Sequence, residues 1–237
     1  MSIIATNKPT NNIPQIPAGT YLARCISMIH IGTLKETIGV KAEQLLNKVY
    51  FTFELPTEQH VFDEAKGPEP RVCGKEFTLS MSEKSNLRKF LQNWRGAPFT
   101  ESEATNFDVT KLLGVECMLS LIHKVSGKGN TYTEIVSAIL PMKGVTIPAQ
   151  VNKMLEFNFG DGIDRFPDCP KFLREKIVTT PEWNAIDKSK RDSLLAKCES
   201  TQQQQPATGQ TQQPKVETPN VETQQQTSQE PATKLPF

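Results

Sequence analysis

Residues Ser80 to Phe99 read as one amphipathic helix, and strand-like segments lie on both sides of it. Ser82 is expected at the N-cap, with Glu83 beside the positive end of the helix dipole. Leu87, Phe90, Leu91 and Trp94 recur at three- and four-residue spacing and so share one face. Lys84, Arg88 and Lys89 fall off that face. Gly96 supplies a left-handed residue after the last turn, and Pro98 stops continuation.

Three strands precede the helix. Thr20 to Ile31 follows Gly19 and closes at Gly32; Arg24 among Leu22, Ile26 and Met28 suits a long strand that bends midway and changes faces. Gly32 to Leu46 reads as a loop or hairpin tip. Asn47 to Leu55 alternates most cleanly, with Val49, Phe51, Phe53 and Leu55 inward and Lys48, Tyr50, Thr52 and Glu54 outward. Pro56 to Arg71 reads as a polar connection and Val72 to Met81 as the third strand. After the helix, Thr100 to Glu103 fits a capping box, and Asp108 to Leu113 fits a short turn stopped by Gly114. Val115 to Val125 and Thr131 to Leu140 are the fourth and fifth strands, joined by the glycine-containing turn Ser126 to Asn130. Three strands, one helix and two strands is the chain order of an OB-fold, a five-stranded barrel whose helix plugs one end. The expected fold class is therefore mainly β: a flexible arm at 1–17, an OB-fold barrel at 18–145, a helical extension and a disordered tail.

The extension, 146–197, has an apolar stretch at Val151 to Phe159, a turn at Phe166 to Pro170 and a helical pattern over Lys171 to Val178. It carries too few apolar residues for a domain of its own and is expected to pack on the barrel or on a second subunit. From 198 to 237 the chain is Gln, Thr and Pro with almost no core formers, which reads as disordered. It closes on Leu235, Pro236 and Phe237, an apolar tip on a polar tail.

Charge discriminates weakly. The tail from Glu199 has four acids and two bases, so it is −2, leaving a body with 25 bases and 22 acids. No apolar run approaches a bilayer span, and the start of the chain lacks a signal-peptide core. The five cysteines are widely spaced and suggest neither a metal site nor a disulfide framework. A soluble, cytoplasmic protein is the expectation. There is no Gly-rich phosphate loop, HExxH, CxxC or GxSxG, so neither an enzyme nor a cofactor is expected. Asp161, Asp164 and Asp168 lack EF-hand spacing, and His30, His60 and His123 are isolated, so no metal is expected. Trp94 reads as core, and Cys25, Cys73 and Cys117 as small hydrophobes.

The outward set is the candidate binding surface. Lys48, Tyr50 and Thr52, joined by Lys75 and Thr78, would face solvent. The flanking loops bring Lys35 and Lys41, then Lys124 and Lys128 with Tyr132. OB-folds bind single strands on this face, aromatics stacking on bases and lysines meeting phosphates. Tyr50 and Tyr132 are the expected stacking residues, Lys48, Lys75, Lys124 and Lys128 the expected phosphate contacts, with Thr52 and Arg24 beside them. The plainer alternative is a half-solvated sheet with ordinary Tyr and Lys decoration.

Two resemblances sharpen the expectation. Barrel, Gln- and Pro-rich linker and a Leu235-Pro236-Phe237 ending resemble bacterial single-stranded-DNA-binding proteins. That likeness implies that the tip docks on replication and repair enzymes, although Lys234 stands where that family has an acidic run. Gly19 to Cys25, Thr78 to Lys89, Asn93 to Phe99 and Leu121 to Lys124 resemble small phage and prophage proteins regarded as single-stranded-DNA binders with an OB-fold; the similarity covers roughly residues 17–145. These resemblances imply a sequence-tolerant single-stranded-DNA-binding protein acting in phage DNA replication or recombination in a bacterial host cytoplasm. The alternatives are a protein-interaction adaptor that mimics the host tip and an RNA-binding OB domain. A homo-oligomer is compatible with each.

Overall fold

The computed structural model describes residues 13–37, 43–127 and 129–202. The strand Gly19–Thr37 (β1) is the shared member of its sheet. It pairs antiparallel with Glu43–Asp63 (β2), which pairs with Gly67–Thr78 (β3). Along its first six residues β1 also pairs with Glu116–Val125 (β4), which pairs with Thr131–Ile139 (β5). The order is β3-β2-β1-β4-β5, antiparallel throughout. A break in register between Cys25 and Ser27 turns β1 away from β4, and the short strand Leu155–Phe157 (β6) takes the vacated edge in parallel. This is the midway bend that the position of Arg24 implied. The protein is thus mainly β, a curled antiparallel sheet of five strands with helices around it.

The hairpins are longer than their composition suggests. Gly32 to Leu46 is strand on both sides of 38–42, with Thr37 opposite Glu43. Pro56 to Arg71 is mostly ladder as well, because its prolines sit where no ladder N–H is needed. Pro56 lies in the register break between Leu55 and Gln59, and Pro68 and Pro70 lie on β3, an end strand.

The curl encloses one core. Phe51, Phe53 and Leu55 of β2, Cys25 of β1 and Leu119 of β4 are all fully buried. One end is closed by Asn86–Arg95 (α1), whose Leu87, Phe90, Leu91 and Trp94 point inward, and Trp94 Nε1 donates to the Glu116 carbonyl at 3.0 Å. The N-cap is Ser85 rather than Ser82: its hydroxyl accepts from Arg88 N at 3.1 Å and donates to the Ser80 carbonyl at 2.5 Å. Gly96 takes φ 68° at the other end, as its position required. Arg88 is not a surface residue. The chain reverses after Gly96 and returns over the helix, so the guanidinium is buried and donates to the Met81 and Phe99 carbonyls, both at 3.1 Å, and to Glu101 at 2.8 Å.

Glu101–Thr105 (α2) starts on the expected capping box of Thr100 and Glu103. The hydrogen bond from Arg95, reinforced by the Thr100 N–H, holds the Glu103 carboxyl down at about 2 from an ordinary 4.5. A depressed folded-state pKa gives stability that is complete above pH 4.5 and lost as pH falls toward 2. Glu103→Gln should therefore flatten the acid limb of Tm against pH in that window: its Tm should lie below the parent's at pH 7, where the ionised carboxylate contributes fully, and converge with it near pH 2. Thermal melts of both proteins across the acid range measure this.

A second core lies on the opposite side of the sheet. Ile29 and Ile31 of β1 point out of the curl, yet both are fully buried. They are covered by Phe157 of β6, Phe166 of the 3₁₀ turn Ile163–Asp168, and the helices Lys171–Ile177 (α3), Pro181–Ala185 (α4) and Lys188–Gln202 (α5). The extension thus packs on the outer side of the curled sheet. It also runs further than its composition indicates: Cys198, expected to begin the tail, is a buried member of this core. Polar anchors fix it. Glu54, fully buried, accepts from Val151 N at 3.1 Å, Asn152 N at 2.7 Å and Asn152 Nδ2 at 2.6 Å. Glu182 accepts from Thr33 N at 2.9 Å and Thr33 Oγ1 at 2.5 Å. Gly32 permits that approach: at φ 98°, a side chain there would press on Glu182 and Thr180. Among the described residues no helix is long and apolar enough to cross a membrane.

Candidate nucleic-acid interface

Tyr50 was expected to stand free on the outer face. Its ring instead lies over Gly74, where an added methyl would overlap it, and meets Phe172 of α3 edge-on at 5.5 Å and 76°. Burial, with Cys73 and Glu76 nearby, pushes the phenol up to about 12. The alternation of β2 was read correctly for the core side. The other side is partly covered because the extension folds back onto it.

Lys48 is likewise enclosed. It is 8% exposed and ion-paired to Glu36 at 2.7 Å and Glu76 at 3.5 Å, and Glu76 is bridged in turn by Lys176 of α3 at 2.6 Å. Thr52 is half-buried opposite Ser27. Thr78 pairs with Lys48 at the end of β3. Arg24 ties the extension to the sheet, through Glu116 of β4 at 2.5 Å and the Pro148 carbonyl at 3.0 Å.

Lys75 does not share the face of Tyr50. Its ladder partner is Phe51, a core residue, whereas Tyr50 pairs with Glu76. The long stem carries the ammonium out of the core edge instead of across the outer face. There it donates to the Ile135 carbonyl and reaches Glu134 at 3.4 Å, joining the end strands β3 and β5. Lys124 reaches the same carboxylate at 2.5 Å. The hydrogen bond from Lys124, helped by the charge of Lys75, holds the Glu134 carboxyl below its usual range despite partial burial. Tyr132 stands opposite Lys124 in the ladder and is 44% exposed.

Three of the expected residues, Lys75, Lys124 and Tyr132, thus meet at one seam around Glu134. Two more, Tyr50 and Lys48, meet beneath α3. Lys35 sits on the projecting β1–β2 hairpin. Lys41, Lys128, Leu235, Pro236 and Phe237 lie outside the described residues.

No protein-family model matches this sequence, and no curated protein does.

Sequence reasoning passed over α3 and Glu134. In α3 the signal was present: Lys171, Phe172, Arg174 and Lys176 put an aromatic ring among cations, while Leu173 and Ile177 turn into the second core. Glu134 gave no signal, because only folding brings it between two lysines that are 59 and 10 residues away. Among the described residues no group of three or more His, Cys, Asp or Glu side chains is placed to hold a metal ion.

Proposed function

We propose that the chain is a non-enzymatic, sequence-tolerant single-stranded-DNA-binding protein on an OB-fold, acting in phage DNA replication or recombination. The observation that supports this best is the seam between β3 and β5. It puts an exposed aromatic ring, Tyr132, beside Lys124 and Lys75, whose charges are held by one displaceable carboxylate. A base of a single strand stacks on Tyr132, and its phosphates exchange with Glu134 for the two ammonium groups. Such exchange is sequence-tolerant because every base has a π face and every nucleotide a phosphate. In duplex DNA the bases already stack on one another and are not offered to a protein ring. In the same reading, Leu235, Pro236 and Phe237 recruit a replication or recombination enzyme.

Anisotropy titration of labelled oligo(dT) at several salt concentrations tests the proposal. Affinity is expected to fall with salt, with a log–log slope of about −0.7 per phosphate neutralised. Glu134→Gln releases both lysines, so it should tighten binding and steepen the slope by as much as about 0.7 for each. Duplex DNA bound as tightly as the single strand, or no binding at all, would overturn the proposal. An oligo(U) titration alongside it separates DNA from RNA preference.

A second reading, a protein-interaction module, is favoured by an apolar cleft of about 590 Å³ at the helix-plugged end. Leu91, Trp94 and Phe99 line it beside the exposed Leu140. Loss of oligonucleotide binding in Tyr132→Ala decides against this second reading.

A further inference from the structure

We infer that α3 belongs to the single-strand interface, with Phe172 as a base-stacking residue and Lys171 and Lys176 as phosphate contacts; this rests on the reading of the chain as a single-strand binder.

The helix is amphipathic in an unusual way. Leu173 and Ile177, four residues apart, are fully buried in the second core, which is enough to hold a helix of seven residues on the sheet. Phe172 is not needed for that task and remains 41% exposed. The other phenylalanines of this core are shielded: Phe157 and Phe166 are at most 1% exposed, and Phe159 is half-buried. A large ring left in water beside a second ring is what a stacking platform requires.

The ring is also held in place. Tyr50 meets it edge-on, and Tyr50 itself lies flat because Gly74 has no side chain. Floor and wall form an aromatic corner whose geometry is set by three residues from three elements, β2, β3 and α3. Tyr50 positions Phe172, and the exposed ring is the one offered to a base.

The cations around the corner are held by carboxylates that a polyanion can displace. Lys48, Lys171 and Lys176 face Glu36, Glu76 and Glu175, three charges of each sign. Lys171 and Glu175 are 4.0 Å apart on an exposed surface, a contact that a phosphate displaces easily. Corner and seam lie on the two sides of the end strand β3: Tyr50 pairs with Glu76 on the outer face, whereas the neighbouring Lys75 emerges at the core edge and spans to β5 and Glu134. A strand that wraps from α3 over the edge of β3 to Tyr132 therefore meets aromatic rings at both ends and lysines between them.

The test uses the full chain and oligo(dT). Phe172→Leu keeps apolar cover over Tyr50 but removes the π face. It should leave Tm unchanged and weaken binding roughly fivefold to a hundredfold, the worth of one base stack. Phe172→Trp should bind like the parent, and its new indole emission should be quenched as oligonucleotide is added; a residue with only a packing role would not show this. Parent-like affinity in Phe172→Leu, or an unquenched indole in Phe172→Trp while oligonucleotide binds, overturns the role of α3 and leaves the proposed function intact. No binding by the parent chain overturns both. Weakened binding in Tyr132→Ala with full affinity in Phe172→Leu confines the interface to the seam.

Discussion

Trp183→Ala is expected to lower the unfolding free energy by about 3–5 kcal/mol, the range for truncating a buried aromatic side chain. Trp183 is 3% exposed and packs on Phe166 with ring centroids 4.2 Å apart. Its helix begins on Thr180, whose hydroxyl accepts from Trp183 N at 3.3 Å, and the adjacent Glu182 holds Thr33 of β1. The cavity left by the indole thus opens where the extension grips the sheet. Both cores share β1, which is buried on both faces from Cys25 to Ile29. One unfolding transition is therefore expected, shifted to lower urea. Trp94, on α1 in the other core, is the remaining tryptophan and reports on that core directly. Far-UV circular dichroism and Trp94 fluorescence should move together. If the Trp94 transition stays at the parent urea concentration while part of the circular dichroism is lost early, the extension is a separate folding unit.

Leu91→Ala should destabilise by about 2–5 kcal/mol. Leu91 is 2% exposed on the inward face of α1, on a helix that also turns Phe90 and Trp94 toward Phe53. The plug sits between strands that cannot close over the gap without breaking the ladder, so the cavity persists. Leu195→Ala is the control: at 40% exposure on α5 it should change stability by no more than about 0.5 kcal/mol. Urea denaturation of the three proteins gives the comparison. An effect at Leu91 as small as that at Leu195 would mean that α1 is peripheral to the core.

Much of the sheet was legible because its signals are local. The alternation from Val49 to Leu55, the spacing of Leu87, Phe90, Leu91 and Trp94, the capping box at Thr100 and the glycine at position 96 each involve residues within a turn or two of one another. Local signals also produced the errors. Ser82 and Ser85 are both competent caps, and the choice went to the serine whose hydroxyl also reaches the Ser80 carbonyl. Pro56 to Arg71 read as a polar connection because a sequence does not show which strand lies at the end of a sheet, where Pro68 and Pro70 are tolerated. One signal went unused. Cys25 to Ile31 is apolar at both parities, the pattern of a strand covered on both faces, and it marked where the extension lands.

By itself the sequence determined which residues turn inward, because burial follows a period of two along a strand and 3.6 along a helix. That is why Val49, Phe51, Phe53 and Leu55 on β2 and Leu87, Phe90, Leu91 and Trp94 on α1 could be assigned to the first core. Periodicity says only that a side chain faces away from that core; it does not say whether water or another part of the chain waits there. Tyr50, Lys48 and Arg88 were all read as outward, and all three are covered by segments distant in sequence: α3, Glu36 with Glu76, and the return of the chain at Phe99 and Glu101. Charge pairing obeys the same limit. Lys75 and Lys124 are cations in any reading, but only the meeting of β3 with β5 gives them the Glu134 carboxylate. The tertiary structure decided which outward residues remain available to a ligand, since that depends on contacts between segments whose separation along the chain carries no information about their separation in space.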